Sequence, residues 1–290
     1  MKSAPFSYHA PASIAEALVL KAAHSGNSAI LAGGQSLMPL MRFRIANPAN
    51  LIDINRIDEL SYIRRVNGTL TIGALTRHAD VLASTAAQVA APLLVEAVGH
   101  VGHAQIRHRG TIAGSAAHAD PSAEIPAALM ALGAQMQCSS RSGTRSVPAE
   151  DFFMGPFSTA IADNEILTEV RIPEWPEGTG SAWLELTRIY HGFPVVGVGA
   201  LIHISDGTID RASVGMCGMA GTPIVSEAAT AALVGNAPST ELIEDTTSTA
   251  IDGLQPPADV HGSTAYRLRA GRAYIKRTLT AAIRNAGGVV

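Results

Sequence analysis

The sequence is poor in charged residues and contains no long apolar run. Charged side chains make up 16% of the 290 residues, against roughly 25% in an average globular protein. This deficit indicates either a surface partly covered by a partner or a composition diluted by alanine, and both interpretations stay open. Apolar residues reach 47%, enough to bury a large core, so a disordered chain is excluded.

Cysteine is also scarce. Cys138 and Cys217 are the two cysteines of the chain, and they form no CxxC pair. This count excludes a disulfide framework and argues against a structural zinc site. An iron–sulfur cluster is normally held by a full set of cysteine thiolates, so this chain alone cannot hold one.

Charge balance and hydropathy exclude two further classes of protein. Lys and Arg number 21 against 24 Asp and Glu, a net charge of −3, whereas nucleic-acid-binding domains are clearly basic. No apolar run approaches the ~18 residues of a membrane span, and the N-terminus lacks the apolar stretch of a signal peptide. We therefore expect no nucleic-acid partner and no membrane span, and we predict a cytoplasmic location.

Hydrophobic periodicity and turn residues predict an α+β chain in two parts. The predicted helices cover residues 13–23, 35–43, 75–84, 92–101, 120–132, 226–234, 239–253 and 264–285. The predicted strands cover residues 28–32, 51–54, 62–66, 69–72, 134–138, 144–148, 165–172, 181–188, 194–205 and 208–219. Asn67-Gly68 predicts a type I′ hairpin turn, Asp120 is the expected N-cap of its helix, and residues 106–115 are predicted to be a loop.

A domain boundary is predicted in the segment 173–180, which holds two prolines and two glycines. Such residues interrupt helices and strands and are typical of linkers. We therefore predict one domain over residues 1–175 and a smaller one over 176–290. The smaller domain is expected to be a three-stranded sheet backed by helices.

Two glycine-containing loops stand out. Residues 32–36 (AGGQS) follow a predicted strand and precede a predicted helix, and residues 111–115 (TIAGS) come shortly before another helix. Glycine lets the backbone approach a ligand and present N–H groups to it, which suits a phosphate or a diphosphate. Neither loop has the GxGxxG or the P-loop pattern. The first loop alone also fits a structural turn, whereas two such loops together fit a dinucleotide diphosphate.

Three segments of the chain resemble a known family. LAGGQSLMPLMRFRIANPANLIDINRI, GHAQIRHRGTIAGSAAHADPSAEIPAAL and the hairpin between them are similar to the FAD-binding medium subunit of molybdenum hydroxylases. The resemblance is to the carbon monoxide dehydrogenase type, related to the flavin domain of xanthine dehydrogenase, and it covers nearly the whole chain. It implies a two-lobed FAD-binding domain of the vanillyl-alcohol-oxidase (PCMH) type, with lobes over about 1–57 and 58–172, followed by a small α+β domain.

The resemblance also implies which residues contact FAD. The two loops would wrap the diphosphate, Glu124 would bind on the ribose side, and Leu167 would contact the adenine. Val101 and Phe193 would lie beside the flavin ring. The full expected set is Leu31, Ala32, Gly33, Gly34, Gln35, Ser36, Leu37, Val101, Thr111, Ala113, Gly114, Ser115, Glu124, Leu167 and Phe193.

Four positions depart from the family pattern. In the second loop Ala113 replaces a glycine and Ser115 replaces an asparagine. Glu185 stands where relatives often carry a lysine near the flavin, and Phe193 replaces a common tyrosine. We expect FAD binding to survive these changes, whereas the redox tuning of the flavin is expected to differ.

The function that the resemblance implies is electron transfer within a heterotrimer. A large subunit would carry the molybdenum cofactor and select the substrate, and a small subunit would carry two 2Fe–2S clusters. Electrons would pass from these clusters to FAD in this chain and then to an external acceptor. A dimer of heterotrimers is the assembly that the family implies. No catalytic acid or base and no metal ligand is expected of this chain.

Two alternatives stay open from the sequence. One is a freestanding FAD-dependent oxidoreductase on the same fold, and the other is a non-catalytic protein that has lost FAD. The substitution Gly33→Val or Gly114→Val is predicted to abolish FAD retention, because a β-branched side chain would intrude where the diphosphate meets the backbone.

The last predicted helix is basic and has no acidic residue. It is interpreted either as a docking face for an acidic partner or as a solvated helix face. Its basic residues are Arg267, Arg269, Arg272, Lys276, Arg277 and Arg284.

Overall fold

The computed structural model describes residues 2–290. The strands are, in chain order, β1 (Ser7–His9), β2 (Ser28–Leu31), β3 (Asn50–Asp53), β4 (Ile63–Val66), β5 (Thr69–Gly73), β6 (Gln135–Ser140), β7 (Gly143–Pro148), β8 (Phe153–Gly155), β9 (Ser158–Thr159), β10 (Ile166–Pro173), β11 (Gly180–Thr187), β12 (Pro194–Ser205), β13 (Thr208–Cys217) and β14 (Ile224–Val225). The helices are α1 (Ile14–Ala23), α2 (Leu37–Arg42), α3 (His78–Ala83), α4 (Thr85–Ala90), α5 (Pro92–His100), α6 (Ala104–Arg107), α7 (Ile112–His118), α8 (Glu124–Ala131), α9 (Ala149–Phe152), α10 (Glu227–Leu233), α11 (Thr240–Ile251) and α12 (Thr264–Asn285).

A parallel three-stranded sheet in the order β1-β3-β2 forms the first lobe. The predicted first helix is confirmed as α1. The Ser13 hydroxyl caps the N-terminus of this helix by accepting a hydrogen bond from the Glu16 N–H at 3.2 Å. β1 was not predicted, since three residues are too few to show an alternating pattern. β2 leads directly into the first glycine loop.

An antiparallel five-stranded sheet in the order β4-β5-β10-β6-β7 forms the second lobe. Asn67 and Gly68 have φ values of 51° and 72°, which confirms the predicted turn between β4 and β5. The predicted helix 75–84 is shorter in the structure and is followed by α4. The break lies at Ser84, which ends α3 and accepts a hydrogen bond from the Ala87 N–H at the start of α4.

Two predictions around the second glycine loop are wrong. Residues 106–115 are not a loop throughout, because α6 and α7 occupy much of this region and Thr111 caps α7. Asp120 does not cap a helix: its Oδ1 accepts from the Ser122 N–H at 2.9 Å in a local turn, and α8 begins at Glu124. A glycine inside α7 hides its periodicity, and an Asp-Pro pair suits a turn as well as a helix start.

The C-terminal part is an antiparallel sheet in the order β11-β12-β13-β14. Its three long strands are those predicted, and β14 adds a two-residue edge. Gly180 lies against α12, whereas Trp183 faces the opposite way and lies with Gly199 near Leu93 of α5. The sheet is therefore held between α12 and helices of the preceding lobe, and Trp183 belongs to the same buried cluster as that lobe's core.

One of the six basic residues predicted on the face of α12, Arg267, is buried in the structure. Arg267 is only 1% exposed, and its guanidinium donates to the carbonyls of Val195 and Gly218 and pairs with Asp259 at 2.7 Å. This arginine therefore binds the start of β12 to α12 and does not face a partner. No helix within residues 2–290 combines the length and the apolar character that crossing a membrane requires.

Candidate cofactor-binding site

One cavity brings together nearly all of the predicted cofactor residues. Its volume is about 710 Å³, and it is lined by both glycine loops, by the start of α8 and by the segment between β11 and β12. The predicted residues that line it are Ala32, Gly33, Gly34, Gln35, Ser36, Leu37, Val101, Thr111, Ala113, Gly114, Ser115, Glu124, Leu167 and Phe193. Leu31 does not line the cavity; its side chain lies beneath Gly34 instead.

The first loop presents free backbone donors. Within the described residues, the N–H groups from Gly33 to Leu37 donate to no protein acceptor. Gly34 has a φ of 72°, a left-handed conformation that glycine adopts without strain. Gln35 stabilises the turn by donating from Nε2 to the Gly33 carbonyl at 3.0 Å. The loop thus offers a run of unpaired donors at the wall of the cavity, which is the arrangement of an anion-binding nest.

The second loop is the first turn of α7. The Thr111 hydroxyl accepts from the Gly114 N–H at 3.0 Å, so Thr111 is occupied as a cap. The Ala113 N–H has no protein acceptor among the described residues. Because Ala113 lies inside a helix and has no positive φ, the replacement of the family's glycine causes no backbone strain.

Gly33 brings the first loop against the residues just before the second, and Gly114 makes room for a contact within the second loop. A Cβ placed on Gly33 would overlap the Arg109 carbonyl oxygen and come within 2.8 Å of the Gly110 Cα. A Cβ on Gly114 would lie 2.6 Å from the Thr111 hydroxyl oxygen. The structure therefore gives a different reason for these glycines than the predicted one. They allow the loops to approach each other and allow the Thr111 cap, in addition to any ligand contact.

Two polar residues that the sequence analysis did not single out connect the loops from behind. Asn55 donates from Nδ2 to the Ala32 carbonyl at 2.9 Å, and its Oδ1 accepts from Arg77 Nη2 at 2.6 Å. Arg77 Nη1 donates to the Arg109 carbonyl at 2.6 Å. A continuous chain of hydrogen bonds thus runs from the first loop to Arg109, two residues before the second loop.

A buried carboxyl group lies at the start of α8. Glu124 is 5% exposed and lines the cavity. Burial, with the negative charge of Glu185 as the second cause, raises the pKa of Glu124 to about 8. A carboxyl group with this pKa is largely protonated at neutral pH, so Glu124 can both donate a hydrogen bond to a ligand and accept one.

Glu185 is buried beside the cavity but does not line it. Its carboxylate accepts from Trp183 Nε1 at 3.0 Å and lies 3.4 Å from His100 Nδ1. The hydrogen bond with Glu185 raises the pKa of His100, which favours the imidazolium form beside the acid. Glu185 places a negative charge where relatives often carry a positive lysine, and the neighbouring His100 imidazolium partly offsets that negative charge.

His78 is a further polar residue at the cavity that the sequence analysis missed. It is 4% exposed, it lines the cavity, and neither of its ring nitrogens has a hydrogen-bond partner in the described chain. Burial lowers its pKa to about 4, so the ring is neutral at physiological pH. A buried polar ring without a partner is costly unless a ligand supplies one.

The segment between β11 and β12 borders the open side of the cavity. Phe193 is 64% exposed there, and His191 of the same segment lies against His103 with ring centroids 5.1 Å apart. Val101, at the end of α5, lines the cavity as well. An apolar and aromatic border of this kind suits a planar ring system.

Metal-ligating side chains are not grouped in the part of the chain that the structure describes. Among residues 2–290 no three His, Cys, Asp or Glu side chains are placed to hold a metal ion. Cys138 and Cys217 are both buried and unpaired, and burial raises the pKa of Cys138 to about 11. Neither thiol is therefore a ready ligand or nucleophile.

Comparisons with known proteins identify the class of the chain. Residues 4–175 match the family described as FAD binding domain in molybdopterin dehydrogenase, and residues 181–282 match the CO dehydrogenase flavoprotein C-terminal domain. Together with the cavity, these matches define an FAD-binding oxidoreductase subunit. The chain belongs to the family of FAD-binding medium subunits of molybdenum hydroxylases, which confirms the resemblance inferred from its motifs.

Individual relatives match over almost the whole chain. The 6-hydroxypseudooxynicotine dehydrogenase complex subunit alpha of Paenarthrobacter nicotinovorans is 37% identical, over 99% of this chain and 97% of that protein. The carbon monoxide dehydrogenase medium chain of Hydrogenophaga pseudoflava is 36% identical, over 96% of both. The solved structure of carbon monoxide dehydrogenase from the same organism, in a form that lacks the Mo-pyranopterin moiety of the molybdenum cofactor, matches with a TM-score of 0.96 at 37% identity, over 98% of this chain and 99% of that one.

The residues of the cavity fit FAD. The first loop supplies unpaired N–H donors for a diphosphate, and the Ala113 N–H adds another. The His78 ring nitrogens have no partner in the described chain, so they can pair with a polar ligand atom in the cavity. The cavity combines these donors with the apolar surfaces of Val101, Leu167 and Phe193, as a ligand with a charged middle and aromatic ends demands.

Proposed function

We propose that this chain is the electron-transfer subunit of a molybdenum hydroxylase and passes electrons from the 2Fe–2S clusters of a partner to an external acceptor. The observation that carries the proposal is the run of unpaired N–H groups from Gly33 to Leu37 at the wall of the cavity. In a chain of an FAD-binding family, this run is where a diphosphate gains the most hydrogen bonds.

We assign the remaining contacts by chemistry. The Ser36 and Ser115 hydroxyls have no protein partner among the described residues, line the cavity, and serve the diphosphate as additional donors. Glu124 serves a ribose hydroxyl, and Leu167 covers the adenine. Val101 and Phe193 flank the flavin ring. Leu31 acts indirectly, since its side chain supports Gly34 from below.

The chain positions FAD and shields it; it does not act on the substrate. When bound, FAD accepts electrons singly and releases them in pairs, which suits a junction between iron–sulfur clusters and a two-electron acceptor. The clusters must come from elsewhere, because the two cysteines of this chain are far apart and buried. We therefore propose a small iron–sulfur subunit and a large molybdenum subunit as partners, arranged as a dimer of heterotrimers.

The choice of substrate lies outside this chain in the proposal. Relatives at 37% and 36% identity are named for 6-hydroxypseudooxynicotine and for carbon monoxide, two compounds with no common chemistry. Both relatives match almost the whole chain although their complexes are named for different substrates, which supports a role for this chain in a step that such complexes share. We also propose a cytoplasmic location, which the two unpaired cysteines support, and a division of the chain into domains at residues 175 and 176.

The first test is the composition and spectrum of the complex. The chain is purified gently from its native host with a tag, its partners are counted on a denaturing gel, and the absorption spectrum is recorded. We expect flavin bands overlaid by iron–sulfur absorption, together with one larger and one smaller partner. A pure flavin spectrum from this chain alone, bleached by a small molecule and restored by oxygen, would instead establish a freestanding oxidoreductase.

A second test concerns the cofactor itself. The full chain, freed of flavin, is titrated with FAD and in parallel with riboflavin, which lacks the diphosphate and the adenosine. We expect one FAD per chain and far weaker binding of riboflavin. Equal affinities would show that the glycine loops do not hold the diphosphate.

A further inference from the structure

Asn55 and Arg77 occupy a position from which they control both glycine loops. We propose that they are positioning residues, which hold the two loops at the separation required by one diphosphate, and that the charge of Arg77 attracts that diphosphate. This inference rests on the proposed function, because it concerns how the same cavity holds FAD.

The geometry leaves little freedom between the loops. Asn55 binds the carbonyl of Ala32 in the first loop, and Arg77 binds the carbonyl of Arg109 just before the second. The hydrogen bond between Asn55 and Arg77 closes the chain. The Ala32 carbonyl that Asn55 holds points away from the Gly33 N–H of the same peptide unit, and this N–H donates to no acceptor among the described residues. On the other side, the Gly110 N–H that follows the Arg109 carbonyl donates to the Ile106 carbonyl at 2.7 Å, so the bond from Arg77 fixes the position of this segment and frees no donor there.

Backbone contacts anchor the arginine on the side of the second loop. The His78 N–H donates to the Gly110 carbonyl at 3.0 Å, and the Ile112 N–H donates to the Thr76 carbonyl at 3.3 Å. Arg77 and Thr111 are thus paired as in an antiparallel bridge. A shift of the Arg77 backbone therefore moves the second loop with it.

Asn55 is anchored on the side of the first loop. Its backbone N–H donates to Asp53 Oδ1 at 2.9 Å, and its side-chain amide contacts the same oxygen. Asp53 ends β3, which is paired with β2, the strand that leads into the first loop. The side chain of Asn55 is therefore fixed relative to the strand from which the first loop emerges.

The guanidinium of Arg77 lacks an acidic partner. No carboxylate of residues 2–290 lies within 4.0 Å of it, and its hydrogen bonds go to neutral oxygens. Burial and the nearby charge of Arg109 lower the pKa of Arg77, and the charges of Asp80 and Asp53 offset this only in part. A diphosphate bound between the loops adds the negative charge that would complete this offset.

The test uses the full 290-residue chain, freed of flavin, and three probes: FAD, ADP and adenosine. The variants are Arg77→Met, Arg77→Lys, Asn55→Ala and the double variant Asn55→Ala/Arg77→Met. Arg65→Met is the matched control, because Arg65 is a half-exposed arginine that pairs with Glu174 and makes no hydrogen bond to either glycine loop or to its neighbouring residues. Binding is measured by calorimetric titration, and Tm is measured without ligand.

We expect Arg77→Met to weaken FAD and ADP by a similar factor of about 10 to 100, as expected for a lost hydrogen bond to a charged group. Adenosine, which has no phosphate, should lose little affinity. Arg77→Lys keeps the charge but cannot bridge two oxygens, so its loss should be intermediate. The double variant should lose less than the product of the single losses, because both residues belong to one chain of hydrogen bonds.

The inference is overturned if Arg77→Met and Arg77→Lys bind FAD as tightly as Arg65→Met does. It is also overturned if the affinity for adenosine falls as much as that for ADP, since the effect would then not concern the diphosphate. If Arg77→Met fails to fold, Arg77→Lys and Asn55→Ala decide by the same two criteria. A wild-type chain that binds no FAD would instead refute the proposed function.

Discussion

Replacing Gly33 by alanine tests the contact between the two loops with a single methyl group. The added Cβ would lie 2.8 Å from the Gly110 Cα, whereas ordinary contacts begin near 3.4 Å. The loops must therefore separate by at least 0.6 Å, and by more at the Arg109 carbonyl oxygen. Both obstacles are backbone atoms, so no side-chain rotation can relieve the overlap.

The free-energy cost of the added methyl group can be estimated. Forcing a methyl group into a close-packed contact costs about 1–3 kcal/mol. Because the loops face an open cavity, we expect them to move apart, and the cost then falls mainly on the geometry that binds FAD. Taken wholly as lost affinity, it corresponds to an FAD dissociation constant about 5 to 150 times higher. Each kcal/mol that instead destabilises the cofactor-free chain lowers its Tm by about 2–4 °C.

The assay compares Gly33→Ala with Gly99→Ala. Gly99 lies in α5 and has no positive φ, and apart from the backbone of its own helix no atom lies within 4 Å of the point where a Cβ would stand. Its replacement should leave FAD affinity unchanged and should raise stability by up to about 1 kcal/mol, since alanine is the better helix former. FAD affinity is measured by flavin fluorescence and stability by thermal unfolding. If Gly33→Ala binds FAD like Gly99→Ala and melts no lower than the wild-type chain, the contact between the loops does not exist.

Three further predictions concern the groups around the cavity. In the cofactor-free chain, Glu124 has a pKa of about 8 in the folded state. Because the folded state then holds its proton more tightly than the unfolded state, the free energy of unfolding falls as pH rises from about 4.5 to 8, by at most about 1.4 kcal/mol per pH unit. Glu124→Gln should flatten the dependence of Tm on pH in this window. Arg267→Met should cost about 2–6 kcal/mol in urea unfolding, because it leaves two buried carbonyls without donors, whereas the exposed Arg269→Met should cost almost nothing. Gly199→Ala should cost about 1–3 kcal/mol by the same measurement, because its Cβ would lie 2.8 Å from the Trp183 ring.

The sequence predicted the parts of the fold that depend on local signals. The first helix from residue 13 and the turn at Asn67-Gly68 are each visible in a few neighbouring residues, and the structure has both. The first glycine loop was also located correctly between its strand and its helix. In these cases the backbone preference of one or two residues decides the local structure.

The failures have a different origin. The helix α7 contains Gly114 and ends at Ala119 with a φ of 50°, so its sequence lacks both a regular apolar stripe and the usual terminal glycine. The link between Asn55 and Arg77 joins residues 22 positions apart, and no local pattern marks such a pair. Arg267 was assigned to a surface because arginine is rarely buried. Only the placement of β12 and of Asp259 beside α12 shows that its charge is satisfied inside.

The cavity is bounded by elements from both ends of the chain: the first glycine loop near the N-terminus, and the segment with Phe193 that belongs to the C-terminal sheet. A ligand that fills it therefore ties together segments that meet only after most of the chain has been synthesised. Binding to the folded state alone adds about 2.7 kcal/mol of stability when free FAD stands at a hundred times its dissociation constant. The cofactor therefore stabilises the fold only once both ends of the chain are in place. The amount of folded subunit in a cell should consequently follow the supply of flavin.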